Sequence, residues 1–216
     1  MKKIILIISV IIVVVLSVLV LQKNQRSTDN LMSILANVPQ NVEMIIYFEN
    51  LNNTLIKLEE NSSIWTETQH EQQVQLAFEL YEKASSVYQL DELEQAVFTT
   101  IKNGKKSDWL IISQNSERKS GQKSTIKKYK DIEYDEFLVS SGKIYQFSYS
   151  GITYFSSSML AIQEAINSVW NETYFSYSEN NLNLQRLSGA DFYLITKSSS
   201  NKFQESDGFV KRNSIE

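Results

Sequence analysis

Cysteine is absent from this 216-residue chain. That excludes disulfides, a disulfide-stapled mini-domain and lipid attachment at a processed cysteine. Histidine occurs once, at His70, in the polar stretch TETQHEQQ. A Ser-His-acid triad would have to use this residue. Its setting, the polar start of a helix, is that of an ordinary solvated side chain. With no Cys and one His, a transition-metal site has few ligands to draw on, and no cofactor is expected. Proline also occurs once, at Pro39 in NVPQNVEMIIYFEN. The residue before a proline is pushed out of the helical region, so Pro39 should end any helical turn over Leu31–Ala36. A basic excess is missing too. Beyond Lys2 and Lys3 the chain holds 19 basic and 25 acidic residues, a net of −6. This argues against nucleic acid as a partner and against broad docking on anionic lipid.

What the chain has in quantity is apolar residues at its start. Lys2 and Lys3 precede Ile4–Leu21, 18 uncharged residues interrupted only by Ser9 and Ser17. As a helix this run spans roughly 27 Å, close to the roughly 30 Å hydrocarbon core of a bilayer. The exit, Leu19-Val20-Leu21-Gln22-Lys23, lacks the small residues of a cleavage site, which favours a retained anchor over a removed signal peptide. Lys2 and Lys3 on one flank face Lys23 and Arg26 on the other, so charge favours a cytoplasmic N-terminus only slightly. The short N-terminal flank favours it as well.

Residues 1–22 therefore read as a transmembrane signal-anchor, contacting the lipid bilayer through 4–21, and 23–36 as a tether and short helix. Residues 37–200 read as an extracytoplasmic domain and 201–216 as a polar tail. Within the domain, Val42–Phe48 is a nearly continuous apolar run, as for a strand covered on both faces. Leu51, Leu55 and Leu58 mark a helix. Residues 70–90 mark another, with Val74, Ala77, Phe78, Tyr81 and Tyr88 at helical spacing. Strands follow at 93–102 and 108–113, flanking a hairpin signal at Asn103-Gly104-Lys105-Lys106. Further strands are expected at 125–129, 132–139, 143–149 and 152–156, with Gly142 and Gly151 at turns. Residues 158–170 return to helical spacing, 180–188 read as a weak helix and 191–196 as a last strand. The fold class is α+β, a mostly antiparallel sheet with helices packed on one face. IYFENLNNTLIKLEENSSIW (46–65) and TYFSSSMLAIQEAINSVW (153–170) share a strand, small polar caps, an amphipathic helix and a terminal Trp, which fits either a domain-scale duplication or a chance likeness between two strand–helix units.

Chemistry-bearing patterns are unspecific. Ser116–Lys119, Ser120–Lys123 and Ser124–Lys127 each match Ser-x-x-Lys, but all three crowd into one hydrophilic stretch. Asp131, Glu133 and Asp135 share a strand face, yet Glu136 stands where a calcium loop needs glycine. The aromatics Tyr145, Phe147, Tyr149, Tyr154, Phe155, Tyr174, Phe175 and Tyr177 read as core packing ahead of a sugar- or peptide-binding face. One basic cluster remains, Arg118, Lys119, Lys123, Lys127, Lys128 and Lys130. It is the candidate contact for lipid headgroups or an anionic envelope polymer, set against the plainer reading of a solvated loop and a lysine-guarded edge strand.

The layout resembles the DUF3352 family of membrane-anchored envelope proteins. The residues that carry the resemblance are the basic start with its anchor, VPQNVEMIIYFEN, LIKLEENSSIW with the long helix after it, and GITYFSSSMLAIQEAINSV. It implies location and architecture and no activity, and this chain stops just inside what would be a third unit. The expectation is a single-pass protein of the inner (cytoplasmic) membrane. It would be a non-enzymatic structural or interaction module of the cell envelope, with another envelope protein or an anionic polymer as partner. A membrane-tethered hydrolase and a fragment of a longer protein are the alternatives.

Overall fold

The computed structural model describes residues 33–48, 51, 71–90, 95–103, 106–114, 116–176, 192–197 and 203–208. Among the described residues no helix is long and apolar enough to cross a membrane. The run 4–21, the helix expected from Leu51, His70 and the weak helix at 180–188 lie outside them, Leu51 itself apart.

The described chain forms one nine-stranded antiparallel sheet in the order β4-β5-β6-β7-β3-β2-β1-β8-β9. Its strands are β1 (Val42–Phe48), β2 (Ala96–Asn103), β3 (Lys106–Gln114), β4 (Ser124–Tyr129), β5 (Ile132–Val139), β6 (Gly142–Tyr149), β7 (Ile152–Ser156), β8 (Phe192–Lys197) and β9 (Phe203–Gly208). Two helices accompany it, α1 (Glu71–Ser85) and α2 (Met159–Asn171). The α+β class and the antiparallel sheet agree with the sequence reading.

The helices do not share a face. Ala161, Ile162, Ala165 and Ile166 of α2 pack with Ile45, Val97, Ile112 and Tyr154. Ala77, Leu80 and Ala84 of α1 pack with Ile46, Phe98, Ile111 and Phe155. Each strand sends alternate residues to the two sets, so α1 and α2 cover opposite sides. The expectation of helices on one face is corrected by this. An apolar stripe shows that a helix is covered but carries no sign of which side of the sheet covers it. The two-sided cover explains β1: six of its seven residues are buried, and only Glu43 is partly exposed. Each large apolar side chain so buried contributes about 1.5–3 kcal/mol.

Within 201–216, read from sequence as a polar tail or a truncated third unit, Phe203–Gly208 forms the edge strand β9, in register with β8 from Lys197↔Phe203 to Phe192↔Gly208. FQESDG shows no apolar alternation, so its strand state comes from pairing alone.

The N-terminal segment is stitched onto the α2 side. A helical turn at 33–35 ends as Pro39 requires. Ile34 and Leu35, assigned from sequence to the tether, are buried in the core. Pro39 bridges to Tyr174, with the Phe175 N–H donating to the Val38 carbonyl at 2.7 Å. Asn41 Nδ2 donates to Glu164 Oε1 at 3.0 Å, and Tyr154 Oη donates to the Asn37 carbonyl at 3.1 Å. Gln114, at the end of β3, donates to Ser33 Oγ at 2.9 Å. Gln114 pairs with Ile152, and α2 runs back along β7 after the Ser156 corner. The chain therefore enters the fold at the end of the sheet where α2 finishes.

Tight turns close the β4–β7 meander. Lys130 and Asp131 have φ of 47° and 62°, and Ser150 and Gly151 have φ of 50° and 79°. Two consecutive left-handed residues are what a two-residue hairpin loop needs to follow strand twist.

Candidate functional site

Among the described residues, a set of mutually bonded polar side chains lies on the α1 side, over β4 to β7. It is built from two loops that zip together. The helix expected over 70–90 is corrected here: α1 ends at Ser85, so Tyr88 lies beyond it and forms an antiparallel bridge with Arg118 instead of continuing the helical stripe. The Gln89 N–H donates to the Glu117 carbonyl at 2.8 Å, and the Lys119 N–H to the Val87 carbonyl at 2.9 Å. Gln122 Nε2 adds a bond to the Ser86 carbonyl at 3.1 Å.

This strap drives Tyr88 into an aromatic well. Its ring meets Phe155 and Phe137 edge-on, at centroid distances of 4.8 and 5.8 Å, a favoured quadrupole arrangement. Its hydroxyl donates to Gln146 Oε1 at 2.9 Å. Gln146 Nε2 donates to Ser148 Oγ at 2.7 Å, and Ser148 and Thr153 share a hydroxyl contact at 3.1 Å. Alongside, Arg118 lies over the Phe137 ring, 4.7 Å from its centroid, a cation–π contact. Its guanidinium donates to the Gln122 carbonyl and to Ser124 Oγ, the latter at 3.2 Å. Ser124 Oγ in turn donates to Asp135 Oδ1 at 2.5 Å.

Burial pushes the Tyr88 phenol up to about 12, the Asp135 carboxylate adds to the rise, and Arg118 opposes it. A tyrosine held neutral and already donating is no base or nucleophile near neutral pH. The seam fastens loops to a sheet, with Tyr88, Gln146, Arg118 and Ser124 each donating within it. On the same side Ser113 is fully buried in β3, and its hydroxyl has no hydrogen-bond partner among the described residues.

The structure disperses the basic cluster. Arg118 is committed to the seam. Lys127 and Lys128, adjacent on β4, point to opposite sides of the sheet. Lys127 reaches Glu136 at 2.8 Å, which Lys143 also reaches at 3.0 Å. These two lysines hold the Glu136 carboxyl below its ordinary range, Lys127 more strongly. Lys128 pairs with Asp131 at 2.9 Å. Lys123 is exposed before β4, Lys130 is exposed in the turn after it, and Lys119 is half-buried in the strap.

The other sequence candidates are also placed. Ser116 Oγ is buried without a partner among the described residues, Ser120 is exposed in a turn, and Ser124 serves Asp135. Asp131, Glu133 and Asp135 do not converge, and among the described residues no group of three or more His, Cys, Asp or Glu stands together. Tyr145, Phe147, Tyr154 and Phe155 are buried, and the Phe147 and Tyr154 rings stack at 4.5 Å and 2°, which is core packing; Tyr149 is exposed and Tyr174 only half-buried, so the core reading is corrected for these two. Sequence reasoning missed the Tyr88–Arg118 pairing. Its one legible trace was a tyrosine at the end of an apolar helical stripe.

No protein-family model, no curated protein and no solved structure matches this chain.

Proposed function

We propose that this chain is a single-pass protein of the cytoplasmic membrane whose sheet domain stands outside the cytoplasm as a structural or interaction module of the envelope. The observation that carries this reading is the apolar run Ile4–Leu21 behind Lys2 and Lys3. Eighteen uncharged residues at the head of a chain match a bilayer core in length, and their backbone groups are satisfied there only as a helix. The resemblance to the DUF3352 envelope proteins points to the same location. The seam over β4 to β7 supports a module over an enzyme, because its polar groups are engaged with each other.

The test is a topology measurement. An alkaline phosphatase that matures only outside the cytoplasm is fused after Gly208. Activity in the membrane fraction, resistant to alkaline carbonate and lost when 4–21 is deleted, is the expected result. An inactive fusion, or one that carbonate strips from the membrane, overturns the reading.

A further inference from the structure

Around the point where the chain enters the fold stands a set of aromatic side chains. Trp170, next to last in α2, is 52 % exposed, and Tyr149, which ends β6, is 45 % exposed. Tyr174 follows α2 and is half-buried beside Pro39. The Tyr149–Ile152 pair, the Gln114–Ile152 pair and the Gln114–Ser33 hydrogen bond put the end of β6, the start of β7, the end of β3 and Ser33 at one end of the sheet. Burial raises the Tyr174 phenol, and the Tyr149 phenol and the Glu172 carboxylate raise it further.

We propose that this end of the domain rests on the lipid–water interface, with Trp170, Tyr149 and Tyr174 seated among the headgroups. The inference rests on the membrane-anchor reading above and goes beyond it by assigning a surface and an orientation. The tether supplies the argument for the occupant. Only 11 residues separate Leu21 from Ser33, a span of at most about 40 Å even when fully extended. A link this short holds the aromatic end close to the bilayer, so a contact too weak to recruit a free protein suffices. Trp and Tyr are the side chains whose apolar rings and polar N–H or O–H groups suit that layer. Glu172 adds an exposed carboxylate, so the contact draws on ring insertion into neutral headgroups and not on attraction to anionic lipid. Exposed Leu138 on β5 stands at the other end of the sheet from the tether, beside the turn into β6. Leu160 is also exposed, but it lies at the opposite end of α2.

The experiment uses the full chain in phosphatidylcholine vesicles, with or without phosphatidylcholine brominated near the top of its acyl chains. Emission from the Trp170→Phe variant is subtracted from that of the parent, which cancels Trp65 and Trp109. The remaining Trp170 signal should fall roughly twofold in brominated vesicles, as expected of an indole at the interface. A Leu160→Trp, Trp170→Phe double variant moves the reporter to the far end of α2, where the added signal should be unchanged. If the chain floats with the vesicles but Trp170 is unquenched, or both positions are quenched alike, the inference fails and the anchor reading stands. If the chain does not float, both fail.

Discussion

The Ser158 hydroxyl donates to Asp108 Oδ2 at 2.7 Å while accepting from the Ala161 N–H at 3.4 Å. One side chain thus caps α2 and ties its start to β3. The corner is reinforced by Ser156, whose hydroxyl donates to the Trp109 carbonyl at 2.6 Å and accepts from the Ser158 N–H at 3.0 Å. Ser158→Ala should destabilise the chain by about 0.5–2 kcal/mol, the range for a lost cap. Urea unfolding of the detergent-solubilised full chain measures this. Ser158→Asp should not restore stability, although Asp is normally an equal cap, because its carboxylate would face that of Asp108. Full recovery in the Asp variant would show that the Asp108 bond contributes nothing.

Tyr88 predicts an alkaline limit to stability. Its folded pKa, about 12, lies above the ordinary value of 10.0. Below pH 10 both folded and unfolded chains keep the proton. Between pH 10 and about 12 the unfolded chain releases it first, so stability falls as pH rises through that window. Tyr88→Phe should cost about 1–2 kcal/mol at neutral pH, because Gln146 Oε1 is left without its buried donor. The same variant should lose stability less steeply with alkali. Tyr154 and Tyr174 are also raised, so the slope shrinks without vanishing. Phenolate absorbance and urea midpoints across the window check both statements, and an unchanged slope in the variant would remove Tyr88 from the account.

The end of α2 carries a conformational cost. Glu172 adopts φ 54°, ψ 37°, and the Thr173 N–H returns to the Ser168 carbonyl at 2.9 Å. Glycine is the residue that takes this left-handed position without steric penalty. Glu172→Gly should stabilise the chain by about 0.5–1 kcal/mol, read as a higher urea midpoint at unchanged slope. A loss of stability would mean that the Glu172 side chain makes a contact outweighing the backbone gain.

Much of the local structure is legible from residue order. Val42–Phe48, Ile132–Val139 and Ile152–Ser156 have the predicted strand limits, because apolar runs and turn residues bound them on both sides. What is not legible depends on partners distant in the chain. β9 has no pattern of its own and exists through β8. Tyr88 and Arg118 are separated by α1's end, a hairpin and a polar loop, and nothing local links them. Lys127 and Lys128 show the reverse case. Their neighbourhood in sequence suggests a patch, yet strand alternation alone dictates that they part.

The place of β1 between β2 and β8 sets a timetable. Met44 on β1 pairs with Thr196 on β8, about 150 residues later in the chain, a large contact separation for a single sheet. At synthesis rates of about 5–20 residues per second, β1 waits on the order of ten seconds with one flank bare. During that interval Met44-Ile45-Ile46-Tyr47-Phe48 presents unpaired backbone and bulky side chains to whatever is nearby. The β8 flank of β1 therefore stays open until Phe192–Lys197 has been made.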